Sequence, residues 1–213
     1  TNQLNASNRS LVTLRDEMGY LAGSQATDVN HIAEQLATLN GEIQRAQLGG
    51  GAANDLLDRR DLLLDELSTL VDAKAVAQPD GTVAVFVDGQ ELVNGVSSRQ
   101  MRAYQDALFV LHLEWVDTSV AINPTGGKLH GTLTAANADI ASRITALDTL
   151  AVQLRDDLNA VHRTGYDRGG NPAGDFFVGA GAQDLRIDTA IQADMDLIAT
   201  SGAPNAPGDG SVA

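Results

Sequence analysis

The chain has 213 residues, with 28 Asp+Glu against 14 Lys+Arg for a net charge of −14, 43% hydrophobic residues, 4% aromatics and no cysteine. This length can bury a core without covalent staples, and the lack of cysteine excludes a disulfide scaffold, a thiolate zinc site, an iron–sulfur cluster and a cysteine nucleophile. The acidic balance argues against nucleic acid and an anionic membrane surface as partners, since both call for a basic face, and no apolar run approaches the ~20 residues of a membrane span.

The first predicted element is a long helix over 11–47. Apolar residues fall at Leu11, Leu14, Met18 and Leu21, then at Val29, Ile32, Leu36, Leu39, Ile43 and Ala46. Steps of three and four place them on one helical stripe. Two steps of four adjoin between Leu21 and Val29, with Gln25 in the seam; such a stutter locally unwinds a supercoil. Gly19 and Gly23 weaken the helix there, so a bend or break is expected.

Gly49-Gly50-Gly51 ends this helix. A second is predicted from Leu56 to Val71, capped by Asn54 or Asp55, with Leu56, Leu63, Leu67 and Leu70 on its stripe. The short glycine loop suggests an antiparallel hairpin of helices.

From Lys74 the period changes to two. Pro79-Asp80-Gly81 is a turn, Val83, Val85 and Val87 alternate with Ala84, Phe86 and Asp88, and Asp88-Gly89 and Asn94-Gly95 are hairpin signals. Further strands are predicted at 97–104 and 107–115, the latter with Phe109, Leu111, Leu113 and Trp115 on one face, and a short one at 119–123. A third long helix follows over 129–161, with Leu129, Leu133, Ala136, Ile140, Ile144, Leu147, Ala151, Leu154, Leu158 and Val161 on its stripe and one stutter. Short strands are expected at 175–178 and 185–188, and a mobile tail from Thr200.

These elements define an α+β chain. The expected architecture is an elongated bundle of long antiparallel helices with a small antiparallel β-hairpin unit. It divides into 1–73 (two rod helices), 74–127 (β unit), 128–163 (third rod helix) and 164–213 (irregular loop, short strands and tail). Few aromatics and many Ala and Leu favour helix–helix packing over a walled ligand pocket.

Candidate chemistry is sparse. His31 and Glu34 have a spacing a metal pair can use, but they flank the apolar stripe and no second ligand pair accompanies them. Gly126-Gly127-Lys128 lacks the earlier Gly and following Ser/Thr of a phosphate loop and reads as a helix start. Asp167 and Asn171 look like oxygen ligands, yet an EF-hand needs a Glu where Val178 stands; a turn explains them. Asp58-Arg59-Arg60-Asp61 reads as a solvated helix face, with interhelical pairing or a subunit contact as the competing reading. None of the four histidines, His31, His112, His130 and His162, sits in a catalytic motif, so no enzyme, metal or cofactor is expected.

Two stretches are more specific. One is Asn54-Asp55-Leu56-Leu57-Asp58-Arg59-Arg60-Asp61, running on to Ser68. The other is Asn159-Ala160-Val161-His162-Arg163-Thr164-Gly165-Tyr166-Asp167, followed by Gly170-Asn171 and Asp175-Phe176-Phe177. Their order resembles the flagellar hook-associated protein 1 family, with likeness from about Leu11 to Asp188. The resemblance implies a flagellin-like helical core in a structural protein. It assigns structural roles to Asn54, Asp55, Leu56, Leu57, Asp58, Arg60, Asp61, His162, Gly165, Tyr166, Asp167, Asp175, Phe176 and Phe177. It further implies export through the flagellar secretion apparatus, an extracellular place between hook and filament, the hook protein and neighbouring hook-associated proteins as partners, and an export chaperone. The family's terminal polymerising helices have no counterpart here, and the chain opens with Thr1 and no signal-peptide pattern. A core fragment, monomeric alone, is therefore expected. The rival reading is an extracellular adhesin or coiled-coil surface protein that binds a ligand near Trp115 and Phe109.

Overall fold

A computed structural model describes residues 1–49, 53–204 and 206. The chain forms two units, one of Arg15–Asp139 and one of Thr1–Leu14 with Ile140–Ala213. The class is mixed helix and strand, with antiparallel sheets only among the described residues.

The first helix, α1, runs Asn2–Leu48. It starts nine residues before the predicted Leu11 and passes Gly19 and Gly23 without a break. Ala22, Val29, Leu36 and Ile43 are fully buried at seven-residue intervals, and that heptad fixes its inner face. Leu14 and Leu21, predicted to lie on the stripe, are exposed; the small Ala22 and Ala26 take the core side instead. The seam residue Gln25 is buried, and its Oε1 accepts the Thr132 hydroxyl at 3.0 Å. That bond satisfies the polar group that would otherwise oppose burial.

The next helix, α2, runs Asn54–Leu70. Its N-cap is Ala53 with no side-chain bond, so neither Asn54 nor Asp55 caps it; Asp55 instead puts a carboxylate in the first turn, where the helix dipole favours it. Gly50 and Gly51 of the expected loop lie outside the described residues. Leu63, Leu67 and Leu70 enter the same core as α1.

A four-stranded meander follows: β1 (Lys74–Ala77), β2 (Val83–Val87), β3 (Gln90–Asn94) and β4 (Ser97–Ser98). The two predicted glycine hairpins form, with Asp88 and Gly89 at positive φ in one and Gly95 in the other. Strict alternation does not hold. Ala84 is buried with Val83 and Val85, and a register shift opposite Val85/Phe86 lets Leu92 and Val93 both turn inward. The predicted 97–104 strand is two: β4 ends at Ser98 and β5 (Met101–Gln105) pairs separately with β6 (Leu111–Trp115). Residues 107–110 form a turn, and the 119–123 strand reduces to one bridge, Glu114 to Ala121. Leu111, Leu113 and Trp115 are buried as predicted, whereas Phe109 is exposed.

The third helical run has three parts: α3 (Gly127–Thr134), a π-helical turn (Ala135–Ile140) and α4 (Ala141–His162). Gly127 has φ +79, and a Cβ there would lie 2.7 Å from the Leu70 carbonyl, so only glycine lets α3 start against the end of α2. Asp72 accepts the N–H of Thr125 at 3.0 Å and its hydroxyl, tying the same junction.

In the other unit, β7 (Phe177–Val178) pairs with β8 (Arg186–Ile187), followed by α5 (Thr189–Ala193) and a 3-10 turn at Met195–Leu197. Of the expected tail, Ser201 is buried and bridges Tyr166, while 202–204 are exposed; residues 205 and 207–213 lie outside the described set.

Candidate functional site

The second motif is a wired cluster at the end of α4. Asn159 is buried: its Oδ1 accepts the N–H groups of Phe176 (2.9 Å) and Phe177 (2.8 Å), and its Nδ2 donates to the Phe177 carbonyl (2.8 Å). One turn on, His162 donates from Nδ1 to the Gly174 carbonyl at 2.8 Å and accepts the Ala199 N–H on Nε2 at 2.9 Å. That pair of bonds fixes the proton on Nδ1. Phe176 meets His162 edge-on and Phe177 in turn.

Gly165 is buried and its carbonyl accepts Ala173, while Tyr166 bridges Pro172 and Ser201. Asp167 is buried with its carboxylate on the Asn171 N–H (2.8 Å) and side-chain amide. This is the turn reading, and no group of three His, Cys, Asp or Glu among the described residues could hold a metal. The Asn171 backbone bond leads in holding the Asp167 carboxyl below its usual range; the Arg163 guanidinium does the same for Asp175.

The first motif lies on α2, in the other unit. Asn54, Asp55, Asp58 and Asp61 are exposed, while Leu56 and Leu57 are half-buried. Arg60 departs from the solvated-face reading. Its stem turns in, Nη1 donates to the Gly81 carbonyl at 3.2 Å and Nε lies 3.8 Å from Asp61, so it braces the β1–β2 turn against α2. His31 and Glu34 are engaged separately, by Gln35 and by Gln100.

Sequence reasoning missed the helix asparagines. Asn30 pairs with Met101, Asn40 with Val83 and Asn137 with Leu111, each carboxamide donating to the carbonyl and accepting the N–H of one β-residue. Each stands beside a stripe position, at Val29, Leu39 and Ala136, which is the only signal available.

The face of α4 also differs from its predicted stripe. Ala151, Asn159 and His162 are buried, whereas Leu150 (55%), Leu154, Leu158 and Val161 (54%) are exposed. Of these, Leu150 also lines an open groove of about 650 Å³ between the start of α1 and α4, where Leu11 and Leu147 lie beside Gln3, Ser7, Ser10 and Arg143. The aromatics of the adhesin reading do not share a site: Trp115 is fully buried under the Arg99 guanidinium, and Phe109 is exposed under Arg15.

A fold of long helices and antiparallel hairpins with exposed leucines along α4 is that of a helical domain. The model of the flagellar hook-associated protein FlgK helical domain matches residues 1–177, and the chain belongs to that family. It is 32% identical over 187 residues to flagellar hook-associated protein 1 of Salmonella typhimurium (83% of this chain, 34% of the relative). It is 27% identical over 198 residues to flagellar hook-associated protein 1 of Bacillus subtilis (79% and 39%). The solved flagellar hook junction protein FlgK from Burkholderia pseudomallei superposes with a TM-score of 0.73 at 30% identity, covering 83% of this chain and 34% of that one. The chain thus spans about a third of the length of these relatives.

Proposed function

We propose that this chain is the helical core of a non-catalytic subunit of the bacterial flagellum that joins hook to filament. The observation that carries this reading is the leucine face of α4, Leu150, Leu154, Leu158 and Val161, left open in a member of the FlgK helical-domain family. Such a face is stabilised only when another apolar surface covers it, at about 25 cal/mol per Å². In the assembled protein the covering element is a further helix, so that the helices of 1–73 and 128–163 run in a lengthwise antiparallel bundle with the β unit of 74–127 beside it. The two motifs act structurally: Asn54, Asp55, Leu56, Leu57, Asp58, Arg60 and Asp61 build the first turns of α2, from which Arg60 holds the β1–β2 turn, and His162, Gly165, Tyr166, Asp167, Asp175, Phe176 and Phe177 lock the segment after α4.

The subunit is extracellular, exported by the flagellar secretion apparatus with a chaperone, and contacts the hook protein and neighbouring hook-associated proteins; the chain alone is a monomer. Dense packing is what such a part needs, since a close-packed core resists deformation. The test is deletion of the full gene. Cells with hooks and no filaments support the junction role, and cells with normal filaments overturn it.

A further inference from the structure

The β5–β6 turn carries four consecutive exposed apolar residues, Ala107, Leu108, Phe109 and Val110, with Leu108 81% and Phe109 54% exposed. A run of that length is a liability on a surface unless it meets something. Its backbone is also held in a costly form: Phe109 sits at φ 62°, a left-handed value rare for a bulky side chain.

Asp106 enforces that form. Its Oδ1 accepts the N–H groups of Leu108 (2.8 Å) and Val110 (2.9 Å), and its carbonyl accepts the Phe109 N–H (3.0 Å). His112 holds the other carboxylate oxygen at 2.9 Å, and Gln105 donates to the Phe109 carbonyl at 3.2 Å. The tip is therefore built to hold Leu108 and Phe109 outward. Local strain sustained by surrounding bonds in this way marks recognition sites.

Arg15 of α1 completes the patch. Its guanidinium lies 4.2 Å over the Phe109 ring, and its Nε is buried with no acceptor among the described residues. The Arg15 side chain makes no ion pair or hydrogen bond among the described residues, although the chain holds 28 acidic side chains against 14 basic ones.

We propose that this tip is a subunit contact: Leu108 and Phe109 of one copy seat in an apolar depression of a second copy, and Arg15 meets a carboxylate of that copy. This rests on the structural role proposed above. Charge argues for this occupant, because a second copy brings 28 carboxylates against 14 basic side chains to an arginine that has no carboxylate partner in its own copy among the described residues. A contact of so few side chains falls below the ~1,000 Å² of a stable interface, so it forms only where other contacts already hold copies side by side. Tip and receptor are different patches, which makes the contact heterologous, the kind that closes rings or winds helices.

The test places a photoreactive benzophenone side chain at position 108 of the full-length protein in flagellated cells, with position 96 on the β3–β4 turn as the exposed control. The expected product is an adduct of twice the subunit mass, formed from 108 and not from 96, whose second peptide maps to this chain. An adduct with a different flagellar protein, or none in assembled flagella, overturns the contact. Arg15→Glu should weaken filament retention about tenfold, and a carboxylate-to-Arg reversal at the mapped position should restore it. Unchanged retention in Arg15→Glu overturns the ion pair. Normal filaments after gene deletion would sink the junction role, whereas intact junctions without a 108 adduct sink the tip contact alone.

Discussion

Asn40 on α1 and Val83 on β2 exchange two hydrogen bonds: Asn40 Nδ2 donates to the Val83 carbonyl at 2.8 Å, and the Val83 N–H donates to Asn40 Oδ1 at 3.0 Å. Nδ2 also reaches the Gly95 carbonyl at 2.7 Å, and Asn40 is fully buried. One helix side chain thus stands in for a strand neighbour and sets where the meander sits on α1. Asn40→Ala leaves a buried N–H and two carbonyls without this partner, a loss of at least about 3 kcal/mol at ~1–3 kcal/mol for each of the three groups. Asn40→Asp keeps the acceptor and loses the donor, so it should also destabilise. The exposed Asn94→Ala should shift the urea midpoint little. Equal midpoints for Asn40→Ala and Asn94→Ala would refute this account.

Gly19 and Gly23 lie inside α1, and a Cβ at either would meet nothing within 4 Å. No turn or close approach requires glycine there. Gly19→Ala and Gly23→Ala should each stabilise the chain by up to about 1 kcal/mol through helix propensity. Thermal melts of the single variants and the pair check this; a lowered melting temperature in either contradicts it.

Acid should weaken the fold through carboxylates that are bonded in the native state. His112 first, then the Val110 N–H, lowers the Asp106 carboxyl; Arg163 lowers Asp175; the N–H groups of Ala180 and Gly181 lower Asp184. A carboxyl depressed on folding contributes stability that is present above its unfolded pKa and lost as pH falls through its folded value. The loss should therefore begin below about pH 5 and continue beneath the ordinary carboxylate range. Urea midpoints across pH 7 to 3 measure it. Asp184→Asn, which keeps an acceptor oxygen and cannot titrate, should flatten the acid limb; a stability independent of pH in the parent chain would rule the mechanism out.

Periodicity and turn chemistry made most elements legible, and what they missed has physical causes. Two adjoining steps of four occur at Leu21–Gln25–Val29 and at Ala136–Ile140–Ile144. The first stays α-helical with Gln25 satisfied by Thr132; the second becomes the π turn that carries Asn137 to the backbone of Leu111. The spacing signals a phase slip in both places, and tertiary bonds decide how the helix absorbs it. The predicted 97–104 strand parts between β4 and β5, where Arg99 lies over Trp115 and pairs with Asp117. Of the motif residues, Gly165 and Tyr166 were readable as part of an irregular segment and Phe176 and Phe177 as part of a short strand, of which Phe177 and Val178 form β7. The partners of His162, at Gly174 and Ala199, are set by contacts that sequence spacing does not encode.

The α4 stripe shows what an apolar pattern does and does not say. Steps of three and four through Leu154, Leu158 and Val161 name a face that needs cover, while this chain covers the face of Ala151, Asn159 and His162. Leu154 and Leu158 are 38% and 41% exposed in the chain alone, so Leu154→Ser and Leu158→Ser each remove part of a leucine contact there. Each should lower the stability of the isolated chain by about 1 kcal/mol, a fraction of the ~1.5–3 kcal/mol of a fully buried leucine, and leave it folded. Under the proposed cover by a further helix, the same substitutions in the full-length protein put a hydroxyl into an apolar contact. Filament attachment should fail while export and folding persist. Ala151→Ser, on the covered face, should do the reverse and lower the stability of the isolated chain. Urea titration of the chain beside a count of filament-bearing cells separates the two faces. If Leu154→Ser unfolds the chain, or leaves attachment untouched, that face is not where assembly covers this domain.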